Sequence, residues 1–539
     1  MSETKSRMMR VFSFGTMTRN GSYSSLQGMS NLATSAPITA TDLKQKEKLV
    51  VENGREGGPS FTQMISFVLV LLASTPVIFG IAQRAVGVNI ESNDLSMHSK
   101  DSHSICEWGD ESCIMGKELF ERHMALSRIT EDPGIINRPY LSVASAHAAR
   151  QVQAWMEDAG MTSSINIVGN VVGRYEADPS TSNPKTIVLG SHFDSVNDAG
   201  KFDGVYGVLA AISVVKVLKQ RGQRLPFAVE VAAFDDEEGN SSFGTTNTGA
   251  KAFMGEYSTK EAAEQLLEQY AGLEDAFRKQ QINYGLDSKR SGIVQGLMKS
   301  AGGSLDDVAA FVELHIEQGP ILEAEGRPIG IVDAINGQTR MQVRYFGESG
   351  HAGTVPMTMR KDALGASAEA VSEIERIGNS NDGLVATVGT LNIVHASSNV
   401  VPGEVMFTVD VRAPTDEVRL DAVNRIVEYL ESVRDRRGLE LQITKTHEAP
   451  AVPMNPEIRG ALATAISEEG LEDSPDSVRI LSSGAGHDAM IVGNKIPSAM
   501  LFLRCAGGIS HNPAEWLSPH DATVGARVVL KYLENLKAV

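Results

Sequence analysis

The fold turns on Val188-Leu-Gly-Ser-His192-Phe-Asp194-Ser-Val-Asn-Asp-Ala-Gly-Lys-Phe-Asp203. Ile187 to Leu189 is a short apolar run, the pattern of a buried strand. It ends in a polar turn carrying His192 and Asp194. Asp203 follows, then Gly204 and an apolar segment of helix length to Val217. An imidazole therefore stands at a strand end and a carboxylate just before a helix. That geometry suits gripping a cation between the two.

On either side the same alternation continues. Lys117 to Ser127 and Tyr140 to Gly160 read as helices, with Gly160 as a C-cap. Ile165 to Tyr175 reads as a strand pair around Gly169-Asn170. Gly204 to Gly222 is a helix, and Pro226 to Phe234 is a nearly continuous apolar strand ending in Asp235-Asp236-Glu237-Glu238-Gly239. Strand, helix, strand with polar motifs at strand C-termini predicts an α/β fold with a mostly parallel sheet, and such sheets bind ligands outside those ends. Alone, four consecutive acids read as a solvated loop. One strand and one helix after His192, Asp194 and Asp203, their mutual repulsion points to a divalent cation. One Glu could ligate it while its neighbour acts as general base.

Two further strand-like runs each carry a histidine. Phe311-Val-Glu-Leu-His315-Ile-Glu317-Gln318 is one; Met500-Leu-Phe-Leu-Arg504 is the other, followed by Gly507-Gly508-Ile-Ser510-His511. Each histidine alone is more often an ordinary polar residue. Three of them with an Asp and a Glu, all near strand ends, point to a two-metal site.

Between them the texture changes. Arg340 to Phe346 reads as a strand, Arg360 to Ile377 as a helix, Leu384 to Val394 and Val405 to Arg412 as strands, Thr415 to Gly438 as a helix and Leu439 to Lys445 as a strand. This β-α-β-β-α-β order is a small two-layer, ferredoxin-like α+β unit. It is expected at 336–447, interrupting a larger domain at 113–335 and 448–539. Its loop residues His351, Asn399 and Arg412 have no evident core role.

Composition sets the outer limits. A chain of 539 residues is too long for one ordinary domain. A formal charge of -18 argues against a nucleic-acid partner. Cys106, Cys113 and Cys505 exclude a disulfide framework and a Cys-rich zinc site, though Cys106 and Cys113 could bridge in a lumen. Residues 1–63 read as disordered. Met64 to Ala82 is mostly apolar, about the length that crosses a bilayer core of roughly 30 Å. Lys44, Lys46, Lys48 and Arg55 precede it and only Arg84 follows closely, so the positive-inside rule predicts a signal or signal-anchor with the bulk in the lumen of the endoplasmic reticulum. Residues 83–112 read as a linker.

The motifs GSHFDSV, GKFDGVYGVLA, DDEEG, FGTT, ELHIEQGPILE, SGHAGTVPM, SNVVPG, FTVDVRAP, GAGHDAM and GGISHNPAE, in this order, resemble the M20 metallopeptidase family, and within it the amidohydrolase branch. The resemblance covers about residues 115–535. It implies that His192, Asp203, Glu238, His315 and His511 hold two divalent ions, Mn2+ by the family's habit with Zn2+ as alternative. Asp203 would bridge them, with His192 and His315 on one ion and Glu238 and His511 on the other. It implies Glu237 as general base and Asp194 as the residue that orients His192. Gln318, His351, Asn399 and Arg412 would bind substrate, and His351 would reach the partner's site in a homodimer formed through the inserted lid. Gly507 and Gly508 would shape specificity. The tail RCAGGISHNPAE is most like the plant-type allantoate amidohydrolases, so a small ureide is the expected substrate. Ureidoglycolate or N-carbamoyl-L-amino-acid hydrolysis is the alternative, ahead of an M20 peptidase or a non-catalytic dimeric binding protein. The sequon at Asn240 is expected to be unused, since a glycan there would crowd the site.

Overall fold

In this computed structural model the chain forms two compact units, Met1–Ser92 and Asn93–Val539. The structure describes residues 16–17, 23–24 and 109–537, less 285–288 and 304. In the first unit Thr16–Met17 pairs antiparallel with Tyr23–Ser24. The rest of 1–63, the apolar segment 64–82 and nearly all of the expected linker lie outside the described residues. Among the described residues, no helix is long and apolar enough to cross a membrane.

The second unit opens with helix α1 (Asp110–Leu126). It begins before the expected Lys117, inside the last residues assigned to the linker. A contact across the fold holds that first turn: Arg221, just past the end of another helix, donates to Glu111 at 2.8 Å. Helix α2 (Val143–Asp158) follows, capped by the Ser142 hydroxyl, which accepts from Ser145 N–H. Then come β1 (Thr162–Ile165), β2 (Val171–Tyr175), β3 (Thr186–His192), α3 (Val205–Gln220) and β4 (Ala228–Phe234). Four helices between Thr248 and Met298 were not anticipated. Strands β5 (Val308–Ile316) and β6 (Ile329–Ile335) precede the inserted segment. That segment contains β7 (Gly337–Phe346), α4 (Ala363–Gly378), β8 (Val385–Thr387), β9 (Leu391–Ile393), β10 (Glu404–Ala413), α5 (Asp416–Arg437) and β11 (Glu440–Ala449). The chain ends through β12 (Val452–Pro453), α6 (Pro456–Glu468), β13 (Ile480–Ser483), β14 (Ser498–Leu503) and α7 (Pro519–Asn535).

Nine strands form the larger sheet, in the order β12-β6-β14-β5-β3-β4-β2-β1, with β13 also on β6. Its centre is parallel: β14 pairs with β5, β5 with β3 and β3 with β4 in one direction, while antiparallel strands flank them. Both faces are covered, so the central strands read as unbroken apolar runs. Ile187 and Leu189 enter a core with Val208 and Leu314 on one side. Val188 points the other way, to Phe234 and Phe311. Each such side chain contributes roughly 1.5–3 kcal/mol by leaving water.

The smaller sheet has the order β8-β10-β7-β11, all antiparallel, with β9 also on β10. Helices α4 and α5 cover one of its faces. Along β10, Val405, Phe407, Val409 and Val411 are buried in that layer, while Thr408, Asp410 and Arg412 lie on the other face, as period 2 requires. The expected single strand Leu384–Val394 is two short strands on β10.

Candidate dinuclear metal centre

Because β3, β4, β5 and β14 run the same way, their C-terminal ends meet at one edge of the sheet. His192 closes β3, the acid run follows β4, His315 lies near the end of β5, and His511 follows β14 through the 506–510 turn. Asp203 joins them from the residue before Gly204, the N-cap of α3. Gly204 has φ +64°, and a Cβ there would lie 2.3 Å from the His192 ring, so only glycine lets Asp203 and His192 approach so closely.

Two triads of potential ligands result: His192, Asp203 and His315, and Asp203, Glu238 and His511. Within each, the donor atoms lie within 4.8 Å of one another. Ligands each at about 2.0–2.2 Å from one cation lie up to roughly 4.4 Å apart, so the spacing fits. Asp203 belongs to both. Its Oδ1 is 3.1 Å from His315 Nε2 and 3.9 Å from His192 Nε2; its Oδ2 is 3.2 Å from His511 Nε2. His511 Nε2 is also 3.4 Å from Glu238 Oε2. The His192 and His315 Nε2 atoms face each other at 3.4 Å.

Three observations say that this donor set suits cations. Asp203 Oδ1 and Glu238 Oε1 are buried without a hydrogen-bond partner. His315 Nδ1–H donates to its neighbour's carbonyl, Ile316 O, at 2.9 Å, which leaves Nε2 as a lone-pair donor. The acids also carry strained protonation equilibria. Burial, then Asp203 and Glu237, push the Glu238 carboxyl up to about 11. Burial, then Asp488 and Asp194, raise Glu237 well above the carboxylate range. Positive charge in their midst reverses that logic. Asp203 is the exception: burial opposes its ionisation, but the His315 and His511 rings outweigh it and hold the carboxyl well below its ordinary range.

The four acids divide their work. Asp235 accepts from the Ser145 hydroxyl at 2.5 Å and Asp236 from the Thr248 hydroxyl, so both brace the loop. Asp236 has φ +71°. Glu237 and Glu238 face the cavity, with Glu237 Oε2 3.8 Å from His192 Nε2. Asp194 lies 3.4 Å from His192 Nδ1, beyond a good hydrogen bond. Its firmer bonds are to the Glu237 and Glu238 backbone N–H groups, at 3.1 and 3.2 Å. It thus ties the acid loop to the histidine strand. Arg138, 2% exposed, supplies buried positive charge beneath; burial lowers its pKa to about 10 while Asp194 and Asp235 sustain it.

A cavity of about 540 Å³ opens over these residues. Gln318 lines it, with φ +56°, and its amide donates to Asp203 Oδ2 at 2.9 Å. Arg412 reaches it from β10 of the smaller sheet. His351 and Asn399 do not line it. His351 belongs to a two-stranded ribbon, Gly350–His351 against Val400–Val401, Asn399 stands just before its second strand with its carbonyl accepting from Ala352 N–H at 2.8 Å, and both are exposed. Gly507 and Gly508 do not line it either; their turn packs on Gly319 and Pro320, where a Cβ on Gly508 would lie 2.5 Å from the Gly319 carbonyl carbon. Arg504 forms a bidentate pair with Asp521 at 2.9 Å and faces a different, smaller cavity. Asn240 Nδ2 donates to Ser195 O at 3.2 Å and lies 3.4 Å from Asn137 Oδ1.

Several residues of this site were not singled out from the sequence. Glu515, 1% exposed, accepts from the Phe202 and Asp203 N–H groups at 2.8 and 3.1 Å and from the Ser510 hydroxyl at 3.0 Å. His487 packs edge-on against His315 at 4.5 Å. Both stand within quoted motifs, GGISHNPAE and GAGHDAM, and that was their only signal. Arg340 and His447 also line the cavity. Cys113 is disulfide-bonded and Cys505 is a buried free thiol; Cys106 lies outside the described residues.

Residues 185–535 match peptidase family M20/M25/M40. The chain is 36% identical to allantoate deiminase 2 of Glycine max over 451 residues, 78% of this chain and 90% of that one. It is 35% identical to an N-carbamoyl-L-amino-acid amidohydrolase of Pseudomonas sp. (strain NS671), over 74% of this chain and 92% of the other. A crystal structure of an amidase of the hydantoinase/carbamoylase family from Burkholderia multivorans superposes with a TM-score of 0.65 at 30% identity, covering 78% of this chain and 97% of that one.

Proposed function

Since the chain belongs to peptidase family M20/M25/M40, we propose that it is a metal-dependent amidohydrolase that converts allantoate to ureidoglycine, ammonia and carbon dioxide. The observation that carries the reading is the pair of ligand triads sharing Asp203, with Glu237 beside them and a cavity above. Two divalent cations, which His192, Asp203, Glu238, His315 and His511 would hold, would supply Lewis acidity to a water and to the scissile carbonyl. Glu237 takes a proton from the attacking water and returns it to the departing nitrogen. The water oxygen bonds to the ureido carbon as one of its two C–N bonds breaks, and the carbamate so formed loses its remaining nitrogen, so that the carbon leaves as carbon dioxide with one ammonia and the product amine. Arg412 and Gln318, which line the cavity, hold the substrate's carboxylate, a task suited to the planar guanidinium, and Asn399, outside the cavity here, joins them on closure of the lid. His351 stabilises the developing oxyanion from a second copy of the chain, in a homodimer formed through the smaller α+β unit acting as a lid. Its exposed place outside its own cavity supports that reading.

Mn2+ is the proposed native metal, with Zn2+ compatible with the same nitrogen and carboxylate donors. An endoplasmic reticulum lumen, entered through the apolar segment 64–82, is the proposed location. The disulfide at Cys113 suits an oxidising compartment. The likeness to an N-carbamoyl-L-amino-acid amidohydrolase favours a second reading, hydrolysis of N-carbamoyl amino acids. Metal analysis of the purified chain, then turnover of allantoate, ureidoglycolate, N-carbamoyl amino acids and dipeptides, separates these. Preference for dipeptides over every ureide would refute the proposed activity.

A further inference from the structure

On the open face of the smaller sheet, Asp410 lies between two arginines. Arg412 grips it side-on: Nε donates to Oδ1 at 3.0 Å and Nη2 to Oδ2 at 2.8 Å. Arg340, directly opposite on β7, donates from Nε to the same Oδ2 at 3.1 Å. Burial works against the Asp410 charge, but Arg412 and then Arg340 outweigh it and hold the carboxyl below its ordinary range. Arg412 has a third tie: Nη1 donates to Gly484 O at 2.7 Å, on the loop that carries cavity residues Ala485 and Gly486. Both arginines line the cavity above the metal-ligand residues. Asp410 does not; together with both arginines it lines an adjoining cavity of about 620 Å³ over the open face of the smaller sheet.

The two faces of the Arg412 fork therefore have different occupants. Asp410 takes the Nε/Nη2 side. The Nη1/Nη2 end retains donors for an anion entering from the cavity. Two guanidiniums against one carboxylate leave a unit of positive charge directed at that space. A free arginine side chain loses rotamer entropy when it closes on an anion, and holding it in place beforehand reduces that cost.

We propose that Asp410 is a positioning residue for substrate binding: it clamps Arg412 side-on and draws Arg340 beside it, so that both arginines present a preformed subsite for the carboxylate of an anionic substrate. Arg340 is then a second, previously unassigned contact for that carboxylate. The inference rests on the reading that Arg412 receives the substrate's carboxylate.

The test compares the wild type with Asp410→Asn, Asp410→Glu and Arg412→Ala, each metal-loaded, in steady-state kinetics with allantoate. For Asp410→Asn the expected result is a KM raised about tenfold, in line with loss of a charge-assisted bidentate bond, with kcat within about threefold and unchanged metal content. Asp410→Glu recovers part of the loss. The KM effect shrinks when Asp410→Asn is made in the Arg412→Ala background, leaving only the share that acts through Arg340, as coupled residues require. Inhibition by the neutral amide of the substrate is unchanged. An unaltered KM, an effect additive with Arg412→Ala, or an equal loss for the neutral amide would each overturn the proposal. If the wild type cleaves dipeptides and no ureide, the ureide reading fails on its own, and the Asp410 comparison is made on the dipeptide carboxylate.

Discussion

At the scale of single residues, the metal-site chemistry was legible because it needs particular side chains. His192, Asp203, the acid run after β4, His315 and His511 could be chosen from residue type and position at strand ends, the separate roles of Glu237 and Glu238 came from the family resemblance, and the fold draws these residues together. Glu515, Ser510, Asp410 and Arg340 were not legible. Nothing local marks an Asp as the clamp of an arginine two residues on, or a Glu as the acceptor for two amides 312 and 313 residues away. The site also holds four non-glycine residues at positive φ, Asp236, Asn247, Gln318 and His511. Such backbone costs on the order of 1–3 kcal/mol each and persists where surrounding contacts dictate it. Glu237→Gln is expected to lower kcat at least about 100-fold, the low end for general acid–base catalysis, while elemental analysis finds the metal retained. A second residue bears on pH. His123 is fully buried against Phe202 and Tyr206, and burial lowers its pKa from 6.5 to about 4. Between those values the unfolded chain binds a proton that the folded one refuses. The stability is present above pH 6.5 and is lost as pH falls toward 4, by on the order of 3 kcal/mol. Urea unfolding at pH 7 and pH 5 checks this, with His123→Leu expected to flatten the difference.

At the scale of elements, the long periodic segments were legible and the short ones were not. Helix α5 shows why. Its start and stop are written in the chain: Thr415 caps Val418 N–H and Gly438 closes the end in the left-handed conformation. Thr415→Ala is expected to cost about 1 kcal/mol of stability, seen as a lower thermal midpoint with metal content unaffected. Of the four helices between Thr248 and Met298, Lys260–Gln269 has a Thr259 cap on Ala262 N–H, but others carry weaker signals. One has Asn247 in the left-handed region at its start, and another starts at Lys289 without a side-chain cap, so packing on Ile167 and Tyr140 stabilises them more than local propensity does. The split of Leu384–Val394 into β8 and β9 is likewise decided by the neighbouring strand: the Thr408 hydroxyl on β10 accepts from Thr390 N–H at 3.1 Å, where the edge leaves the ladder.

At the scale of the whole molecule, the α/β class followed from the alternation of element types, as did the succession of strands and helices between Gly337 and Ala449, one strand of which the structure divides in two. The antiparallel flanks of the larger sheet did not, because sequence order says nothing about where β6 and β14 insert. Removing metal is expected to abolish turnover while leaving far-ultraviolet circular dichroism largely intact, since the covered sheet does not depend on the cations; re-addition of Mn2+ should restore activity and raise the thermal midpoint. If the chelated protein kept its activity, the metal-dependent reading would fall. The position of β14 carries one more consequence. This late strand, Ser498–Leu503, lies between β5 and β6, near the middle of the sheet. During synthesis the growing chain must hold that slot open, with the edges of β5 and β6 unpaired, until almost the last residues emerge. The nascent protein is therefore aggregation-prone from the emergence of β6 to that of β14, and its window of dependence on chaperones closes only when the segment that also brings His511 has arrived.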